Sequence, residues 1–398
     1  MEQFTEKEAT LKISEIKIYL AKSGVRRPIL VKVVTDEGIH GIGEAALAYG
    51  TGQTAAAGMI KDLAEKTVLG KDPFRIEAIW ADMYDDSFWT KGGGPVVFAG
   101  MSAIETALWD IKGKALNVPI YEMLGGKCRD TVSVYANGWS YYCVEPKDFA
   151  CRAKSVVADG YKALKMYPLA SPKDKGKQTT LQHVRRRMIT REAEDLAVER
   201  VRAVRDAIGP EIDLMIDLSC ELTTEAVIRF VQRLLAFNLL FIEEPVDAFN
   251  TDALEEVSKT LNIPIAVGER LFTRYGFREV LQRHAADLLQ PDVGTCGGIM
   301  ELKKIAAMAE AYNMLVLPHN CGSPVCTAAS LQVDACITNI MSQEIFPYRE
   351  PEFYALANHA YELDAKDGFI QIPDAPGLGI DLVEAQIAPL LWASCTAS

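Results

Sequence analysis

The chain lacks the features that tie a protein to a membrane, an oxidising compartment or a polyanion. Its longest apolar stretch, around Leu234 to Ile242, is far short of the roughly 20 residues that span a bilayer. The start, MEQFTEKEAT, has no basic segment leading into an apolar run, so nothing there reads as a signal peptide. Basic residues are in deficit, 42 against 54 acidic, which leaves a formal charge of −12. A net acidic surface repels phosphates and argues against nucleic acid as a partner. The nine cysteines are odd in number and form no CxxC pair. Buried, reduced thiols are therefore expected, with Cys296 and Cys321 nearest the positions that matter below. Glycine follows no fixed period and no low-complexity segment appears, which excludes collagen and disorder. A soluble, cytoplasmic protein is the expectation.

What is present suffices for two domains or one large one, with 398 residues of which 49% are hydrophobic. From Leu11 to about Ala45 the pattern alternates as strands around the turn Asp36-Glu37-Gly38. Helical spacing follows over Thr54–Leu69 and Ala99–Leu116, which makes the block up to residue 128 an α+β unit. The KGGGP run between them lacks the Lys-Ser/Thr ending of a phosphate loop and reads as a turn or helix entry. From 129 to 368 eight short strand-like runs alternate with amphipathic helices. Eight such units predict a (β/α)₈ TIM-type barrel, with a doubly wound sheet as the alternative. The last segment, 369–398, is expected to return to the first domain. One stretch, Pro172 to Arg191, is basic, with seven Lys or Arg against Asp174.

Chemistry enters with the spacing of strand ends. Asp217, Glu243 and Glu269 stand 26 residues apart, and Asp292, His319 and Glu344 follow at 23, 27 and 25. Each interval is one βα unit, so a charged side chain recurs at the carboxyl end of six consecutive strands, where barrels build active sites. Three converging carboxylates repel unless protonated or bound to a cation. Oxygen ligands with open positions suit Mg²⁺. Asp292 beside His319 would fix the imidazole tautomer and stabilise its charged form, as a general base requires. Lys165 ends the second strand. His40, His183, His284 and His359 show no such phase and read as surface or packing residues.

The run GPVVFAGMSAIETALWDIKGKALNVPIYEMLGGKCRD (94–130) resembles the signature of the enolase superfamily, mandelate racemase subgroup. So do GYKALKMYP, IDLSCE, FIEEP, VGER, QPDVGTCGGI and LPHN. The resemblance covers nearly the whole chain and implies an α/β fold: a modified (β/α)₈ barrel under an N-terminal α+β capping domain. It implies Asp217, Glu243 and Glu269 as metal ligands and His319–Asp292 as the dyad. It makes Glu344 the acid that hydrogen-bonds the substrate carboxylate and Lys165 the first lysine of a Lys-x-Lys motif. Asn320 and Arg270, in the LPHN and VGER runs, are the remaining candidates for substrate contact. A homo-oligomer is also implied.

Two positions depart from the family pattern. Tyr167 replaces the second lysine, the base opposite the histidine in racemases. Ser219 stands two residues after the first metal ligand, where some sugar-acid dehydratases carry a histidine. Racemisation needs a base on each face of the α-carbon. One strong base instead favours one-way proton abstraction, a metal-stabilised enediolate and departure of a β-hydroxyl. That is dehydration of an acid sugar to a 2-keto-3-deoxy acid, with either His319 or Tyr167 protonating the leaving group. A racemase or epimerase using Lys165 as second base is the alternative, and a non-catalytic metal-binding relative a further one.

Overall fold

A computed structural model describes residues 11–170 and 187–397. Most of the basic segment, with His183, Arg185 and Arg186, lies outside those residues. Strands β1 (Ile13–Leu20), β2 (Ile29–Thr35) and β3 (His40–Ala45) form an antiparallel sheet, and β1 also pairs with the last strand of the chain. On this sheet lie helices α1 (Gln53–Leu63) and α3 (Pro95–Leu116), with α2 (Ile76–Asp85) and α4 (Ile120–Met123) packed against α3. The KGGGP run enters α3, with Gly94 extended at the cap and Pro95 in the first turn, where its missing N–H costs nothing. Gly41 and Gly43 of β3 let α3 approach closely, because a Cβ at either would sit 2.0 Å from the carbonyl oxygen of Ala107 or Ala103.

Eight parallel strands follow, alternating with helices. They are β4 (Thr131–Ala136), β5 (Ala163–Met166), β6 (Asp213–Asp217), β7 (Ile242–Glu243), β8 (Ile265–Val267), β9 (Leu288–Leu289), β10 (Leu315–Val316) and β11 (Gln343–Ile345). The helices between them are α5 (Pro146–Ala158), α6 (Arg191–Ile208), α7 (Thr224–Gln232), α8 (Thr251–Thr260), α9 (Thr273–Arg283), α10 (Ile299–Ala311) and α11 (Pro324–Cys336). β11 pairs with β4, and a parallel bridge from Val316 to Ile340 closes the ring, so the sheet is a barrel rather than doubly wound. Thr190, Thr223 and Asn250 cap α6, α7 and α8 by accepting from the backbone N–H three residues on.

Side chains alternate across each strand. Leu164, Leu214 and Ile216 face the helices, while Tyr135, Met215, Phe241, Ala266, Leu288 and Leu317 form a separate cluster inside the ring. Above that cluster the same inward phase carries Lys165, whose Nζ lies 5.4 Å from the Tyr135 ring centroid. After α11 the chain adds β12 (Phe369–Gln371) to β4, then β13 (Leu391–Thr396) to β1.

Candidate active site

Where the strands end, a cavity of about 610 Å³ opens between barrel and cap. Its wall includes Lys165, Tyr167, Asp217, Glu243, Glu269, Arg270, Asp292 and His319, together with Ala46 to Tyr49 from the cap. Strand register does the gathering: Asp217 pairs with Glu243 across β6 and β7, and Asp292 bridges to His319.

Lys165 is the hub. Its Nζ donates to Glu243 Oε1 at 2.6 Å and Oε2 at 2.5 Å, and lies 2.8 Å from Glu344 Oε1. Burial would strip its proton, but Glu243 and Glu344 outweigh burial and hold its pKa well above the ordinary lysine value. Burial pushes the Glu243 carboxyl up to about 8 against the pull of Lys165, with Asp217 adding to the rise. Asp217 is raised too, by burial and then by Glu269. Ser219 turns back on this acid, with its backbone N–H 2.7 Å from Asp217 Oδ1 and its hydroxyl 3.2 Å from both oxygens.

His319 Nδ1 lies 2.7 Å from Asp292 Oδ2, and its Nε2 is 3.0 Å from Glu269 Oε2. Burial favours the neutral ring, yet Cys321, Glu269 and Glu344 outweigh it, with the Asp292 hydrogen bond, and hold the imidazole well above its ordinary pKa. Asp292 occupies Nδ1, which leaves Nε2 as the edge that meets the cavity. Arg270 reaches Glu269 Oε1 at 2.8 Å from a half-exposed position at the rim.

Three acidic side chains, Asp217, Glu243 and Glu269, thus offer oxygen donors from consecutive strands, at a spot where burial and mutual repulsion disfavour the charged forms of Asp217 and Glu243, while His319 and Arg270 outweigh burial and keep Glu269 charged. That donor chemistry fits a hard divalent cation. Among the described residues the tightest grouping of ligand-type atoms is different: Asp292, His319 and Cys321 lie within 4.8 Å of one another. Glu243 is taken up by Lys165 and Gln290, and Glu269 by His319 and Arg270.

Two substrate-contact candidates sit away from the cavity wall. Asn320 turns its amide to Thr327 Oγ1 at 2.7 Å, since a residue next to an inward-facing histidine points outward. Glu344 is fully buried beneath the site, where its Oε1 accepts from Asn137 at 2.5 Å and its Oε2 accepts the Asn320 backbone N–H at 3.1 Å. Tyr167 donates to Glu221 Oε2 at 2.7 Å, and burial, then Glu221, pushes its hydroxyl well above the usual tyrosine value. Glu221 lines the cavity and had no assigned role in the sequence reading. The one available signal was a second acid four residues past the strand end in IDLSCE. The other histidines are accounted for elsewhere: His40 meets Asp381, His359 meets Asp364 and His284 packs on Tyr312. All nine cysteines are free.

A strand-end acid cluster with a buried lysine and a His–Asp dyad, under an α+β cap, is the layout of a barrel enzyme. The chain belongs to the enolase superfamily: residues 5–125 match the mandelate racemase/muconate lactonizing enzyme N-terminal domain and residues 148–386 the enolase C-terminal domain-like family. It is 36% identical over 373 residues to a D-galactonate dehydratase of Variovorax paradoxus, covering 91% of this chain and 90% of that one. A D-gluconate/D-galactonate dehydratase of Picrophilus torridus is 32% identical, with 92% and 88% covered. A crystal structure from Mesorhizobium loti, provisionally named a dehydratase, superposes with a TM-score of 0.91 at 52% identity, over 97% of this chain and 100% of that one. A member of the enolase superfamily from Salmonella Typhimurium gives 0.91 at 36% identity, over 98% and 100%. Dehydratases are carbon–oxygen lyases, and members of this superfamily typically bind a divalent metal.

Proposed function

We propose that this protein is an Mg²⁺-dependent dehydratase of an acid sugar, an aldonate or aldarate, that yields a 2-keto-3-deoxy acid. Asp217, Glu243 and Glu269 would hold the cation, which when bound supplies positive charge to a substrate carboxylate whose α-proton is being withdrawn. His319 takes that proton on Nε2, while Asp292 fixes the ring and stabilises the imidazolium. Lys165, locked between Glu243 and Glu344, keeps its charge at the point where the substrate gains negative charge.

The observation that carries the reading is the asymmetry of the two sides. The dyad occupies one, and on the other Tyr167 is spent on Glu221 with its hydroxyl pushed well above 10. Lys165 has its Nζ engaged by both Glu243 oxygens and by Glu344, so no free second base stands opposite the dyad for racemisation. One-way abstraction followed by loss of a β-hydroxyl is the outcome. The relatives' names support the same class of reaction. In this reading the protein acts as a cytoplasmic homo-oligomer on a small-molecule acid sugar, which its net acidic charge and family resemblance support. Among the described residues no helix is long and apolar enough to cross a membrane.

His319→Asn should abolish α-proton exchange in deuterium oxide, and screening mono- and diacid sugars for 2-keto-acid product identifies the substrate. Exchange retained in the variant overturns the base assignment. Both labelled stereoisomers recovered from one enantiomer would make the protein a racemase.

A further inference from the structure

We propose that Glu221 is the general acid that protonates the departing β-hydroxyl, with Tyr167 as its positioning residue; the role rests on the dehydratase reading above. The barrel's own topology places it. Eight strands close the ring, and β6 and β10 are four strands apart in either direction. Glu221 follows β6 and His319 follows β10, so the two stand on opposite sides of the same cavity.

The loop that presents Glu221 is built at a cost. Ser219 and Cys220, neither a glycine, both lie in the left-handed region, at φ 48° and 61°. Consecutive residues of that kind persist only where surrounding structure over-determines them. Here the Cys220 N–H donates to the Glu244 carbonyl at 2.8 Å and the Glu221 N–H to the Leu218 carbonyl at 3.1 Å. That tight turn brings the carboxyl back over the end of β6. Tyr167 then engages Oε2 alone at 2.7 Å, and among the described residues Oε1 has no hydrogen-bond partner. Burial pushes this carboxyl up to about 7, opposed by the Tyr167 hydrogen bond and reinforced by Asp217, so a protonated fraction exists at neutral pH. Ser219, at the position where some sugar-acid dehydratases carry a histidine, is occupied with Asp217.

The step balances without a further reactant. His319 takes the α-proton as the C–H bond breaks, its electron pair forms the C2–C3 double bond, and the C3–O bond breaks. Glu221 gives its proton to the departing hydroxyl, which leaves as water. The enol then becomes the keto acid by moving its hydroxyl proton to C3 through solvent. Base and acid on opposite sides of the cavity make the elimination anti.

The test uses Glu221→Gln on D-galactonate and on 3-deoxy-3-fluoro-D-galactonate, because fluoride leaves without a proton. Dehydration should fall by about 10² to 10⁴, while fluoride loss and α-proton exchange in deuterium oxide stay within about threefold of wild type. Tyr167→Phe should show the same pattern with a smaller loss of dehydration. Dehydration kept within threefold in Glu221→Gln overturns the role, and so does a fluoride loss that falls in parallel. Wild-type protein that exchanges the α-proton of D-galactonate but loses neither water nor fluoride overturns the dehydratase reading itself.

Discussion

On its barrel side the cavity presents charged groups that are each tied to another. Lys165 has Glu243 and Glu344, His319 has Asp292 and Glu269, and Arg270 has Glu269. The side nearest the cap presents Ala46, Leu47, Ala48, Tyr49 and Thr51, with Tyr141 and Phe346 beside them. Behind these lie Arg26, stacked 3.9 Å from the Tyr49 ring and 4.7 Å from Phe346, and Arg349, 4.0 Å from Phe346. Neither arginine meets a carboxylate among the described residues, and Arg26 Nε with Arg349 Nε and Nη1 are buried without a partner. Arg26 donates instead to the Cys321 carbonyl, and Tyr49 and Tyr141 share a hydroxyl–hydroxyl bond of 2.5 Å. One wall pairs most of its charges within itself; the other keeps positive charge without a carboxylate partner behind a polar-aromatic face. On the dehydratase reading proposed above, the first wall carries the reaction and the second faces the substrate.

Breaking the balanced wall should give the larger effect. Lys165→Met leaves Glu243 and Glu344 buried without their cation. Losing one partner of a buried pair costs about 3–5 kcal/mol, to be read as a lower urea midpoint. Turnover should fall by about 10² or more, as when one preorganised charge is withdrawn from developing negative charge. Undiminished kcat would mean that this wall does not do the chemistry. Tyr141→Phe probes the other wall and should act on KM. It removes the hydroxyl that Tyr49 and Arg26 share, and one net hydrogen bond of about 1.4 kcal/mol is worth roughly tenfold in KM. With binding lost uniformly, kcat should stay within about twofold. A fall in kcat at constant KM would erase the division between the walls.

The two walls also differ in how far they could be read from sequence. The barrel wall is periodic: one charged residue per βα unit put Asp217, Glu243, Glu269, Asp292 and His319 at strand ends, and the parallel ring places them around one mouth. Pairing was not legible, because Lys165 and Glu243 lie 78 residues apart and meet only through register. Asn320 stood beside the right residue, but on the other face of its strand. The Tyr167–Glu221 contact spans 54 residues between two strand-end loops, one of them shaped by left-handed residues that no propensity marks. The cap wall has no period at all. Arg26 and Cys321 are 295 residues apart, and only the packed fold shows the arginine buried.

The smallest effect concerns how the cap is held. Asp381, in the chain's closing segment, accepts from His40 Nε2 of β3 at 2.6 Å and lies 3.5 Å from Lys114 Nζ of α3. Burial would raise its pKa, but the His40 hydrogen bond and the Lys114 charge overcome that and bring it down to about 2. A folded-state value below the unfolded one, about 3.9, adds stability that is present above pH 4 and drains away as pH falls towards 2. The carboxyl is 32% exposed, so solvent screening reduces the gain to about 1 kcal/mol. Asp381→Asn should therefore lower the urea midpoint slightly at pH 7, with the gap from wild type narrowing between pH 4 and pH 3. A gap that stays constant over that range would show that packing, rather than charge, joins this segment to the cap. The cap would then be held as its cavity wall is built, without the compensating ion pairs of the barrel side.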